Sequence, residues 1–268
     1  MDLNVVVDGP AGAPAVVFLH GVTGGADTYA WLRPEHVGGR RIVRPDLRGH
    51  GDSPHAPGTY RVGPYTDDVA AVLRELDGPP PVLVGHSLGG VVAWTVAQRH
   101  PELIAGAFLE DPPLFFADPA EAPTNEALPM FEALRAAVRS WREAGLSADD
   151  VAARIAQAPG GDQLADGVAL VRARHLLAMD MGVLEAAIDN TTLAAADLQA
   201  PVGVPVRVLA GDENAGAAFK TRHVERLAAS HPEIEVVVVP GASHLIHDEA
   251  RSRDTYVREL QAFVERLG

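Results

Sequence analysis

One serine of the seven in the chain sits where chemistry can use it. The segment Val82-Leu83-Val84-Gly85-His86-Ser87-Leu88-Gly89-Gly90 reads as a buried strand, a glycine-flanked turn and the start of a helix. A serine hydroxyl is a weak nucleophile until it is held before a base and an electrophile together. A sharp strand-to-helix turn does this by lifting Ser87 off the end of the sheet. Gly85 and Gly89, lacking a Cβ, let neighbouring backbone come close. A base is then required. Among 11 histidines, His244 in Gly241-Ala242-Ser243-His244 stands out, because it follows a strand and loop late in the chain. An acid must orient that base. Two places offer one after a strand: Glu110-Asp111, and Asp212 ahead of Glu213 and Asn214. With no cysteine, thiol nucleophiles, disulfides, iron–sulfur clusters and thiolate zinc sites are excluded. Lys220, the single lysine, is the one residue open to Schiff-base chemistry.

The elements that must position these groups are legible. Short β-branched runs fall at residues 3–7, 15–19, 41–44, 82–84, 105–109, 206–210 and 235–239. Several are apolar on successive residues, as in strands buried on both faces of a parallel sheet. Helical spacing follows at 65–76, 88–98, 224–229 and 255–267. The alternation predicts an α/β fold. Residues 115–199 differ, being alanine-rich with no convincing strand. There Met130, Phe131, Leu134, Val138 and Trp141 share one helix face, to line a pocket or to pack on neighbours. Ser147 and Asp150 have the spacing of a capping box. Asp118-Pro119 and Pro201 bracket the region, which reads as a helical insertion in one sheet domain.

Composition narrows the partners. The 268 residues carry 36 acidic against 22 basic side chains, a net charge of −14, which repels phosphate backbones and argues against nucleic acid. Between 115 and 199 the count is 13 acidic to 6 basic, which disfavours strongly anionic ligands there. No apolar run approaches the roughly 20 residues of a membrane span, and no basic-then-apolar leader opens the chain. A cytoplasmic enzyme without membrane contact, monomeric or homodimeric, is expected. The histidines are dispersed, so no metal site is expected, and no glycine fingerprint for a dinucleotide follows the first strand. No cofactor is expected.

Four segments in order resemble the α/β-hydrolase superfamily over nearly the whole chain. His20-Gly21-Val22-Thr23-Gly24 is similar to its oxyanion loop. Pro45-Asp46-Leu47-Arg48-Gly49-His50-Gly51-Asp52-Ser53 matches the loop after its next strand. Gly85 to Gly90 resembles the nucleophile elbow, and Gly241 to His244, with Glu249 beyond, the histidine segment. The resemblance implies a mostly parallel central sheet flanked by helices, with a helical cap after the family's sixth strand. The core would be 1–114 and 200–268, and the cap 115–199. It implies Ser87 as nucleophile, His244 as base, and the amides of Val22 and Leu88 as oxyanion hole. His20, His86 and His100 read as structural, Asp46, Arg48 and Asp52 as loop-fixing, and His247-Asp248 as the start of the last helix.

The acid departs from the common pattern. The usual position after the family's seventh strand holds Asn214, an amide without the charge needed to stabilise an imidazolium. Asp212 lies two residues early. Haloalkane dehalogenases and zearalenone lactone hydrolases keep their acid after the sixth strand, and their register puts it at Asp111, 24 residues past Ser87. Glu110 and Asp111 point to opposite faces unless the strand bulges, so only one of them serves. Asp111 is the preferred acid, with Asp212 and Glu110 open. The expected reaction is hydrolysis of a neutral, apolar carboxylic ester or lactone by way of an acyl-serine. The same residue set also fits cofactor-free perhydrolysis, carbon–carbon hydrolysis, a lyase step, or a slow-turnover receptor.

Overall fold

The computed structural model describes residues 1–118, 121, 127–193 and 197–268. Seven strands form one sheet in the order β1-β3-β2-β4-β5-β6-β7. They are β1 (Val5–Asp8), β2 (Ala15–Leu19), β3 (Arg41–Pro45), β4 (Val82–His86), β5 (Gly106–Glu110), β6 (Val206–Ala210) and β7 (Glu235–Val238). Only β1 runs antiparallel to its neighbour. All seven match the expected runs to within two residues. The family's sixth and seventh strands are the fifth and sixth of this chain.

The unbroken apolar runs have the expected cause. In β2, Ala15, Val17 and Leu19 enter the core on one face while Val16 and Phe18 enter it on the other. In β4, Leu83 faces one way, Val82 and Val84 the other. The first face is covered by α1 (Val62–Glu75) and α2 (Leu88–Arg99), with Trp94 fully buried. The second is covered by α8 (Arg253–Arg266) through Tyr256, Leu260, Phe263 and Val264, and α7 (Thr221–Ser230) lies between β6 and β7 in the chain. The edge strands β1 and β7 are only half-buried, as befits strands with one paired side.

Between β5 and β6 lie α3 (Ala127–Glu143), α4 (Ala148–Gln157), α5 (Val168–Ala178) and α6 (Met181–Ile188). The capping box at α4 forms: Ser147 Oγ accepts from the Asp150 amide, and the Asp150 carboxylate accepts from the Ser147 amide. Pro119 lies outside the described residues. The insertion is stitched to the segment after β7. The Ala165 amide donates to the Asp248 carbonyl and the Ala250 amide to the Gln163 carbonyl, on either side of an antiparallel Leu164–Glu249 bridge.

In the parallel register Leu19 pairs Gly85, and His86 pairs Glu110. Residues just past β2, β4 and β5 therefore emerge side by side at one end of the sheet. Ligands of open α/β sheets bind at these carboxyl ends.

Candidate active site

Ser87 follows β4 directly, with φ 52° and ψ −116°, and its amide donates to the Glu110 carbonyl at 3.0 Å. This backbone shape costs a non-glycine residue ~1–3 kcal/mol. The flanking glycines allow it. A Cβ on Gly85 would lie 2.2 Å from the Gly89 carbonyl oxygen, and one on Gly89 would lie 2.3 Å from that of Leu19.

Asp111 is the residue where β5 leaves the sheet, in the left-handed region at φ 42° and fully buried. The turn settles the face question raised by strand alternation. Asp111 Oδ2 accepts from His244 Nδ1 at 2.6 Å and from the Ala218 amide at 2.6 Å; Oδ1 accepts from the amides of Gly211 at 3.0 Å and Phe219 at 3.2 Å. Burial pushes this carboxyl up, but the His244 hydrogen bond and charge and the two amides of Gly211 and Ala218 outweigh it. They hold Asp111 below the usual carboxylate value. It is thus the ionised acceptor. His244 Nδ1 carries the hydrogen in the bond, which leaves Nε2 with a free lone pair in the neutral ring.

The other two carboxylates are elsewhere. Asp212 accepts from the Gly241 and Asn214 amides and braces its own loop. Glu110 points to the opposite side of β5 and meets His247: Oε2 lies 2.7 Å from Nδ1, and Oε1 accepts the His247 amide at 2.9 Å. His247 and Asp248 therefore do not begin the last helix, which starts at Arg253. They belong to a buried turn. Burial pushes His247 down, yet attraction from Glu110 and Asp248 outweighs it and raises this imidazole above its ordinary value. The ring atoms of His86 and His247 and the Glu110 carboxylate lie within 4.8 Å of one another. The dispersion of histidines along the chain thus does not carry over into space. The carboxylate is committed to His247, however, and His86 Nε2 to the His244 carbonyl.

The loop after β2 carries Val22. Neither its amide nor that of Leu88 meets an acceptor among the described residues. The Val22 carbonyl lies 2.8 Å from His50 Nε2, which fixes the loop. Asp46 accepts from Ala26 and Asn4, and Arg48 donates to Asp68 and Thr59. Among the described residues Asp52 contributes to this loop through its amide, to Asp46, and its side chain is exposed. His20 accepts from the Leu47 amide, and His100 ends α2. Glu249 accepts from the Ser243 amide, bracing the turn ahead of His244.

Ser87, His244, Val22 and Leu88 line one cavity of about 300 Å³. Its walls are mainly apolar and include Phe131, Met130, Leu193 and Ala217; Lys220 also reaches it. The predicted stripe on α3 thus divides. Met130 and Phe131 face this cavity, Val138 is buried in the core, and Leu134 and Trp141 line a second cavity of about 560 Å³ behind the His244 turn. Sequence reasoning missed Asn190, also on the first cavity. Among the described residues only Ser87, Asp111 and Asn190 are non-glycines at positive φ, so strain gathers at this end of the sheet. No helix among the described residues is long and apolar enough to cross a membrane.

Known proteins resemble this chain in sequence and in fold. Residues 16–259 match the model of the alpha/beta hydrolase family. The chain is 27% identical over 253 residues to the sn-1-specific diacylglycerol lipase ABHD11 of Mus musculus, covering 91% of this chain and 79% of that one. It is 29% identical over 245 residues to 2-(acetamidomethylene)succinate hydrolase of Mesorhizobium japonicum, covering 88% and 83%. A solved structure described as a marine microorganism esterase superposes with a TM-score of 0.76 at 20% identity, over 98% of this chain and 99% of that one. From residue 16 to residue 259, on a mostly parallel sheet whose end sets a serine and a carboxylate-bound histidine on one cavity, this chain belongs to the alpha/beta hydrolase family.

Proposed function

We propose that the protein is a serine hydrolase that opens a carboxylic ester or lactone of a neutral, apolar small molecule through an acyl-serine. One observation carries the reading: a serine on a strained turn shares a cavity with a histidine whose Nδ1 is bound to a buried carboxylate at 2.6 Å. In this reading Ser87 Oγ attacks the carbonyl carbon and its proton passes to His244 Nε2. Asp111 holds the ring in that tautomer and stabilises the imidazolium. The Val22 and Leu88 amides receive the developing oxyanion, each such donor contributing about 10²–10³ in rate. The imidazolium protonates the leaving oxygen. Water then attacks the acyl-serine with His244 again as base and releases the acid.

The substrate class follows from the cavity. About 300 Å³ is at the small end of ligand pockets, and the lining is largely apolar, which suits a short or medium neutral acyl group. The diacylglycerol lipase among the relatives supports ester cleavage. Residues 115–199 act as the cap, with α3 forming the roof over Ser87. The test is turnover of p-nitrophenyl esters from acetate to octanoate and of simple lactones, each with Ser87→Ala as control. Ser87-dependent hydrolysis, with an acyl adduct on Ser87 by mass spectrometry, is the expected result. Turnover that survives Ser87→Ala, or none across the series, overturns the reading.

A further inference from the structure

Beneath Ser87, Asp111 and His244 lies a second set of polar residues, drawn from the same three segments. His86 precedes Ser87, Glu110 precedes Asp111, and His247 follows His244 by three residues. All three members of the second set are buried. The His86 ring stands between the two others, its centroid 4.7 Å from that of His244 and 4.8 Å from that of His247.

The hydrogen-bond chemistry fixes how this column is held. His86 Nε2 lies 2.9 Å from the His244 carbonyl. A carbonyl only accepts, so Nε2 carries the hydrogen and donates it. The other edge of the ring lies against the oxyanion loop. A Cβ on Gly21 would stand 2.8 Å from His86 Nδ1, so only glycine lets the ring sit there. Behind it, His247 is clamped by Glu110 and flanked by the tilted rings of Tyr29 at 4.9 Å and Tyr256 at 5.9 Å.

We propose that His86 is a positioning residue, registering the His244 turn against the Gly21-Val22 loop, with the buried Glu110–His247 pair as its backstop. This rests on the reading of His244 as the base. His86 touches neither the substrate nor Ser87 Oγ in this role. It sets the separation between the base and the oxyanion amides, which the reacting carbonyl must span. Burial and the neighbouring His244 and His247 push His86 far below the ordinary histidine value, so it stays a neutral donor and adds no charge beside the base. Errors of about 1 Å in such a separation cost on the order of 10²-fold.

The test uses the whole protein, a p-nitrophenyl ester, and kcat expressed per serine titrated with a fluorophosphonate. His86→Phe keeps a ring but loses the donor; His86→Gln keeps an N–H for the His244 carbonyl. Expected are a 10- to 100-fold fall in kcat for His86→Phe with KM within about 2-fold, recovery of most of it in His86→Gln, and a smaller kcat-only fall for Glu110→Gln. A merely structural role predicts less folded protein but an unchanged kcat per titrated serine in both His86 variants. That result, or a loss in His86→Gln equal to that in His86→Phe, overturns the proposal. An unaltered kcat in Glu110→Gln overturns the backstop. Ser87→Ala and His244→Ala separate the two levels. If they retain turnover, the reading of the site fails; if they abolish it while His86→Phe keeps its kcat, only this inference fails.

Discussion

The chain builds two carboxylate–imidazole pairs from adjacent residues of one strand and gives them opposite surroundings. Asp111–His244 opens on the cavity, with the imidazole 29% exposed; Glu110–His247 is sealed, with its imidazole 1% exposed. Bond lengths hardly differ, at 2.6 and 2.7 Å. Pairing a histidine with an acid therefore does not by itself set the ring before a ligand. Exposure on the cavity does, and at Asp111 the backbone amides help hold the acid ionised. Asp111 receives three backbone N–H groups from residues 211–219, whereas among the described residues Glu110 receives only the amide of its own partner.

The sharpest way to break the comparison is to neutralise each acid. Asp111→Asn is expected to lower kcat by about 10³–10⁴, because the amide favours the wrong tautomer and leaves the imidazolium unsupported. Glu110→Gln is expected to lower kcat far less but to cost about 3–5 kcal/mol in urea unfolding if His247 stays charged, and less if it neutralises. A larger kcat loss from Glu110→Gln than from Asp111→Asn would reverse the roles.

Folding moves the acidity of the two pairs in opposite directions. The Asp111 carboxyl is lowered on folding, so its contribution is present above the unfolded value near 3.9 and lost as pH falls through the folded one. The His247 imidazole is raised, so its contribution is full below about 6.5 and lost as pH rises through the folded value. Stability differences between wild type and each variant, measured against pH, should slope below about pH 3.9 for Asp111→Asn and above about pH 6.5 for Glu110→Gln. Slopes in the same window would contradict this assignment. The smallest effect is expected from Asp212→Asn, with kcat within about 2-fold, since Asp212 braces a loop and does not meet His244 among the described residues. A fall of two orders of magnitude there would return it to candidacy.

Ser87 and its glycines were legible because a strand, turn and helix follow within ten residues, and each constrains the next. The strands were legible because burial on both faces leaves unbroken apolar runs. The place of Asp111 was less so. It is defined by amides 100 or more residues away and by a backbone reversal that alternation alone does not announce. The Glu110–His247 pair was invisible for the same reason. In the sequence Glu110 reads as a competitor for His244, and His247 as the start of a helix. Asn214, in the common acid position, is explained by position: it is exposed, with its amide on Asp212.

The three positive-φ non-glycines among the described residues bear on how this protein trades durability against work. At Ser87 the backbone adopts a shape in which glycine is at ease, and the side chain remains there against local preference. Replacing Ser87 by glycine should therefore raise the melting temperature while ending turnover, and Asn190→Gly should raise it with turnover retained. Selection for thermal endurance alone would erode the end of the sheet that holds the cavity before it touched the core.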